Sequence, residues 1–107
     1  MQIVYGYEIN GINYLVMDVN EALMNRDSVR SLSAYKDGVG ADRVLFMDMV
    51  NNTVIAIFNA NGKTIVPDMN DFQTARAIAN QGQHREYHLT DYYLSVIAVD
   101  KDLRQTA

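Results

Sequence analysis

Gly38-Val39-Gly40-Ala41-Asp42-Arg43-Val44-Leu45, continued by Ile57-Phe58-Asn59-Ala60-Asn61-Gly62, is the stretch on which the reading of the fold turns. A glycine-rich turn opens it, and the apolar residues from Val44 to Val50 follow as a strand. Asn51-Asn52 is a turn signal, Val54 to Phe58 reads as the returning strand, and Asn61-Gly62 closes with a further turn. Two strands joined by so short a connection must run antiparallel.

Working outward, Ile3 to Ile9 and Asn13 to Val19 flank Asn10-Gly11, a two-residue type I′ signal, and form an N-terminal hairpin. Asn25 to Tyr35 reads as a short helix, capped by Asn25 or Asp27, with Val29, Leu32 and Ala34 on its apolar side. Thr64 to Val66 reads as a short strand stopped by Pro67, which has no N–H for a ladder. Asn70 to Asn80 is the main helix: Asp68 or Asn70 caps it, Phe72, Ala75, Ile78 and Ala79 form a narrow apolar stripe, and Gly82 ends it. Arg85 to Leu89 and Tyr92 to Val99 read as strands. The second is apolar on both faces and is expected to be covered on both sides. Lys101 to Ala107 reads as a frayed tail. Strands and helices do not alternate regularly, which argues against a doubly wound parallel sheet. The expected class is α+β, a curved, mostly antiparallel sheet wrapped around one central helix.

A chain of 107 residues with 49% hydrophobic residues and one proline is expected to fold as a single domain spanning residues 1–107. Its net charge is −4, and no stripe of Lys or Arg is present, so neither nucleic acid nor an anionic membrane surface is an expected partner. The apolar runs are too short to span a bilayer, and no leader-like segment opens the sequence, so a cytoplasmic location is expected. There is no cysteine.

The two opening motifs, in this order, resemble the N-terminal half of diaminopimelate epimerase. Gly38, Gly40, Ala41 and Asp42 match that family's glycine-aspartate motif, and Phe58, Asn59 and Gly62 match its asparagine turn. Gly11 to Asp18 keeps the glycine, strand and terminal aspartate of a third motif. Ile12 there stands where the family has a substrate-binding asparagine, and Asn13 takes the neighbouring place. The Ala75-Arg76 pair matches the family's main helix.

The resemblance implies two similar domains with substrate between them, and a cofactor-independent reaction in which one cysteine from each domain works on the α-carbon. It implies ligand-binding roles for Asn13, Asn59, Asn70, Asp71 and Arg76, with an amino-acid-like ligand and no cofactor. The chain departs from the family where the reaction occurs. Met69-Asn70-Asp71-Phe72-Gln73-Thr74 lacks the catalytic loop's cysteine and both of its glycines. Counted back from Arg76, Asp71 takes the cysteine position; counted from Met69, Asn70 does. A carboxylate at a helix N-terminus is held ionised and is a weak base for an α-proton, so Asp71 is a weak catalytic candidate.

The expected function is therefore a non-catalytic, stand-alone relative of the N-terminal domain, binding a small molecule or serving assembly. The alternative is an isomerase half whose second domain and thiol come from a partner chain, or one that uses a carboxylate base. A homodimer is expected because a lone domain leaves bare the face its partner domain would cover.

Each of these residues also has a structural reading. Gly38, Gly40 and Asp42 can fold a tight connection, Asn59 can bond its own turn, and Asp68 and Asp71 can cap the main helix. Arg76 can be packed or paired. His84 and His88, with Glu86 between them, share a face at i and i+4, but the segment is not His-Glu-x-x-His and no third ligand is evident, so it reads as a solvated strand and no metal site is expected. The seven tyrosines read as core and rim residues rather than a base-stacking platform.

Overall fold

The computed structural model describes residues 2–34 and 40–90. Their elements are β1 (Gln2–Ile9), β2 (Ile12–Asp18), α1 (Arg26–Ser33), β3 (Arg43–Asp48), β4 (Thr53–Asn59), α2 (Met69–Ala79) and β5 (Arg85–Leu89). The strands form an open sheet in the order β4-β3-β2-β1-β5. The class is α+β, with a mixed five-stranded sheet and two helices among the described residues.

β1 and β2 pair antiparallel around Asn10 and Gly11, whose φ values of 51° and 80° are those a type I′ turn requires. β3 and β4 also pair antiparallel, as do β1 and β5. β2 and β3 are parallel, with Tyr14 opposite Arg43. Parallel neighbours need a crossover, and α1 supplies it. Among the described residues there is thus one β-α-β unit within an otherwise antiparallel order.

That crossover puts α1 on one face of the sheet. The Asn25 side chain caps it by accepting the Ser28 N–H at 2.9 Å. Val29 and Leu32 are fully buried against Val4, Leu15, Met17, Val44 and Phe46. Phe46 and Phe58 meet edge to face, with centroids 5.7 Å apart. The Asn61-Gly62 turn lies against the start of this helix. Gly62 has φ +81°, and a Cβ there would fall 2.4 Å from the Arg26 carbonyl oxygen, so no larger residue fits.

α2 covers the opposite face, over Tyr7, Tyr14, Val16, Leu45, Met47 and Ile57. β2 and β3 are therefore covered on both sides, and Tyr14 to Met17 and Val44 to Met47 are all buried. Such strands carry apolar runs rather than strict alternation.

α2 is turned differently from the stripe read in the sequence. Asp71, Thr74 and Ala75 face inward, while Phe72 is 51% exposed and Met69 is 73% exposed. The cause is the ion cluster described below, which fixes the rotation of the first turn. The helix ends in a Schellman arrangement: Gly82 N–H donates to Ala77 O and Gln81 N–H to Ile78 O. The left-handed residue is Gln81, at φ 53°, one place before the expected Gly82.

The segment read as a strand from Thr64 to Val66 is a single bridge, Thr64 to Phe58, supported by Ile65 N–H on Ile57 O. The expected strand Tyr92–Val99 and the tail after it lie outside the described residues. No helix among the described residues is long and apolar enough to cross a membrane.

Candidate functional site

Tyr7, Tyr14, Arg43 and Asn59 lie opposite one another across β1, β2, β3 and β4. The first turn of α2 sits over the middle of this row, and its charges meet there. Asp71 has no exposed surface. Its Oδ1 accepts the Tyr14 hydroxyl at 2.5 Å and Arg43 Nη1 at 2.7 Å. Its Oδ2 accepts the Asp68 backbone N–H at 2.8 Å, and the Asp68 side chain accepts the Asp71 N–H in return, a reciprocal capping box. Arg43 Nη1 also reaches Asp68 Oδ2 at 2.8 Å. One guanidinium thus closes two carboxylates and a phenol into a single network.

Burial, and then the Asp71 carboxylate, push the Tyr14 phenol above its ordinary range. The bond from Arg43, helped by the Asp71 N–H, holds Asp68 below the usual carboxylate range. Arg43 is raised by Asp68 first and Asp71 second. Tyr14 therefore keeps its proton and Arg43 its charge. Both oxygens of Asp71 are engaged by protein groups, so this carboxylate is closed to a substrate.

The other sequence candidates do not converge on this point. Asn59 Oδ1 accepts the N–H groups of Asn61 at 2.9 Å and Lys63 at 3.1 Å, so it shapes its own turn. Asp42 binds the Asn13 backbone in both directions: its N–H donates to Asn13 O at 2.8 Å and its Oδ2 accepts Asn13 N–H at 2.9 Å. It ties the starts of β2 and β3 together. Asn70 Oδ1 accepts Asn10 Nδ2 at 2.8 Å, joining α2 to the first hairpin. Arg76 is exposed on the solvent side of α2. Asn13 belongs to the α1 face, because Tyr14 beside it belongs to the α2 face.

His84 packs against the rings of Tyr5 and Tyr7, with centroids at 4.9 and 5.7 Å. Its Nδ1 lies 2.7 Å from Gly82 O and its Nε2 lies 3.1 Å from Glu86 Oε1. Gly82, and then Glu86, raise its pKa above the ordinary 6.5. Both ring nitrogens are in use, and among the described residues no group of three His, Asp or Glu side chains is placed to hold a metal.

Sequence reasoning found the capping pair but missed Tyr14 and Arg43. Their signal was a lone arginine opening an otherwise apolar strand, which needs a buried acidic partner. That partner lies 28 residues away along the chain, outside any local pattern.

No protein-family model matches this chain, and no curated protein matches it.

Proposed function

We propose that this chain is a non-catalytic, stand-alone relative of the N-terminal domain of the diaminopimelate epimerases, acting as a small-molecule-binding or assembly module. The observation that carries this reading is Asp71. Counted back from Arg76 it stands where the resemblance puts the catalytic cysteine (counted from Met69, Asn70 does), and it is fully buried with both oxygens bonded to Tyr14, Arg43 and Asp68. A general base must come within hydrogen-bond reach of the proton it removes. The finer fold assignment draws support from the chain order, in which the asparagine turn leads into a helix that meets the sheet through small residues.

The test is incubation of the pure protein with diaminopimelate and other amino acids in deuterated water. The expected result is no exchange at the α-carbon above a protein-free control; exchange above that control overturns the reading.

The assembly role is supported by three exposed apolar residues near the α2 start, Val66 just before it and Met69 and Phe72 in its first turn, which are 88%, 73% and 51% exposed. A homodimer that covers them is the proposed form. Light scattering that finds only a 12.1 kDa species at high concentration would remove it.

A further inference from the structure

The sheet register gathers a second set of polar groups on the α1 face, away from the Asp71 network. Gly6 of β1 lies opposite both Leu15 of β2 and Arg85 of β5. Glu8 lies opposite Asn13, and Val4 lies opposite Tyr87. Val4 and Leu15 belong to the α1-side core, so by strand alternation Gly6, Glu8, Asn13, Arg85 and Tyr87 all face that side.

Together they line a cleft of about 470 Å³. Its floor is Leu15 and the bare backbone of Gly6, with Tyr87 alongside: a Cβ on Gly6 would lie 3.0 Å from the Tyr87 ring. Any larger residue at Gly6 would fill the floor.

Glu8 and Arg85 sit diagonally across two paired strands, a spacing of about 7–8 Å between α-carbons. Long side chains at that spacing can reach each other, yet no ion pair joins them and neither has another hydrogen-bonded partner among the described residues. The cleft thus presents an anion and a cation apart, with the Asn13 amide beside the anion; His84, also in the lining, has both ring nitrogens engaged by Gly82 and Glu86. A singly charged ligand would satisfy one and meet the other with the wrong sign. A guanidinium is matched to a carboxylate, and a carboxylate to an ammonium. The volume is that of a small-molecule site, larger than a single free amino acid needs.

We propose that this cleft binds a small zwitterion of about dipeptide length, with its ammonium end on Glu8 and its carboxylate end on Arg85. The assignment rests on the binding-module reading above and gives its small-molecule arm a place and a ligand class.

The experiment is a titration followed by amide ¹H–¹⁵N spectra, with glycylglycine as the probe. Saturable shifts at Gly6, Asn13 and Arg85 are expected, with a dissociation constant on the order of 1 mM. N-acetylglycylglycine lacks the ammonium and glycylglycinamide lacks the carboxylate; each should bind at least about tenfold more weakly. Glu8→Gln and Arg85→Gln change exposed residues, so the fold is retained, and each should weaken glycylglycine by a similar factor. Gly6→Val should abolish the response, and if it fails to fold the two charge variants decide.

No saturable shift, equal binding of the blocked probes, or unchanged affinity in both charge variants overturns the assignment. Failure here together with absent α-proton exchange leaves the non-catalytic reading standing. Exchange above control overturns that reading whatever the cleft binds.

Discussion

The two faces of the sheet are closed by different means. α1 is held by apolar contact, with Val29 and Leu32 pressed onto Leu15, Met17, Val44 and Phe46. α2 presents Asp71, Thr74 and Ala75, and its first turn is fixed by Arg43 and Tyr14. Apolar contact has no preferred direction, whereas hydrogen bonds to a guanidinium and a phenol fix position and rotation. The α2 face therefore has a defined helix orientation, which leaves Phe72 and Met69 on the outside.

The sharpest break of this contrast uses one substitution on each face. Leu32→Ala removes a fully buried side chain and should cost about 3 kcal/mol. Arg43→Ala should cost a similar amount, about 3 kcal/mol, by leaving Asp71 buried without its cation. The lower end of the range for broken buried pairs applies because the Arg43 side chain keeps 22% of its surface exposed. Urea unfolding at neutral pH measures both. A loss under about 1 kcal/mol for Arg43→Ala would mean that the cluster does not hold α2.

A smaller effect separates the faces by pH. The folded pKa of Asp68 lies below its unfolded value. Its contribution is complete above the ordinary carboxylate range and is lost as pH falls through the depressed folded value. Wild type and Leu32→Ala should lose stability in parallel on acidification. Arg43→Ala should lose less over the same range, because Asp68 keeps only its bond from the Asp71 N–H and gains less from being ionised. His84 acts in the opposite sense: its folded pKa is raised, so its contribution is complete below 6.5 and fades as pH rises through the folded value. Unfolding midpoints measured between pH 3 and pH 9 check both; parallel acid curves for all three proteins would refute the assignment to Asp68.

The smallest expected change is a gain. Gln81 carries a left-handed φ of 53° at the end of α2. Gln81→Gly should stabilise the protein by about 0.5–1 kcal/mol, since glycine adopts this conformation without a Cβ clash. A thermal midpoint at or below wild type would show that the Gln81 side chain contributes more than its backbone strain costs.

What the sequence made legible follows the range of the forces involved. The first hairpin, the Asn25 cap, the capping role of Asp68 and the β5 limits Arg85–Leu89 come from neighbouring residues and were readable. So was the α+β class, which needs only the order of elements. The orientation of Phe72 was not, because it depends on Arg43, at the far end of two intervening strands, β3 and β4. The parallel pairing of β2 with β3 was not readable from either strand, whose apolar runs fit any buried position. The alignment of Glu8, Asn13 and Arg85 on one face depends on how β5 registers against β1, which no single strand encodes. Asn59 is placed as its structural reading had it, in its own turn, whereas Asp42 bonds not the amides beside it but Asn13 on β2, 29 residues away, a tie that no local pattern encodes.

One irregularity bears on how molecules of this chain behave toward one another. Between Phe46 and Met47 the pairing with β4 shifts by a residue, and Ile55 is left without a partner and half exposed. β4 is the outer strand on that side among the described residues, bridged by Thr64 only near its end at Phe58. A flat outer strand would offer an unbroken row of N–H and C=O groups on which an unfolded or neighbouring chain could be templated. The kink at Ile55 interrupts that row midway and twists the edge, which discourages fibre-like growth from an otherwise inviting apolar strand.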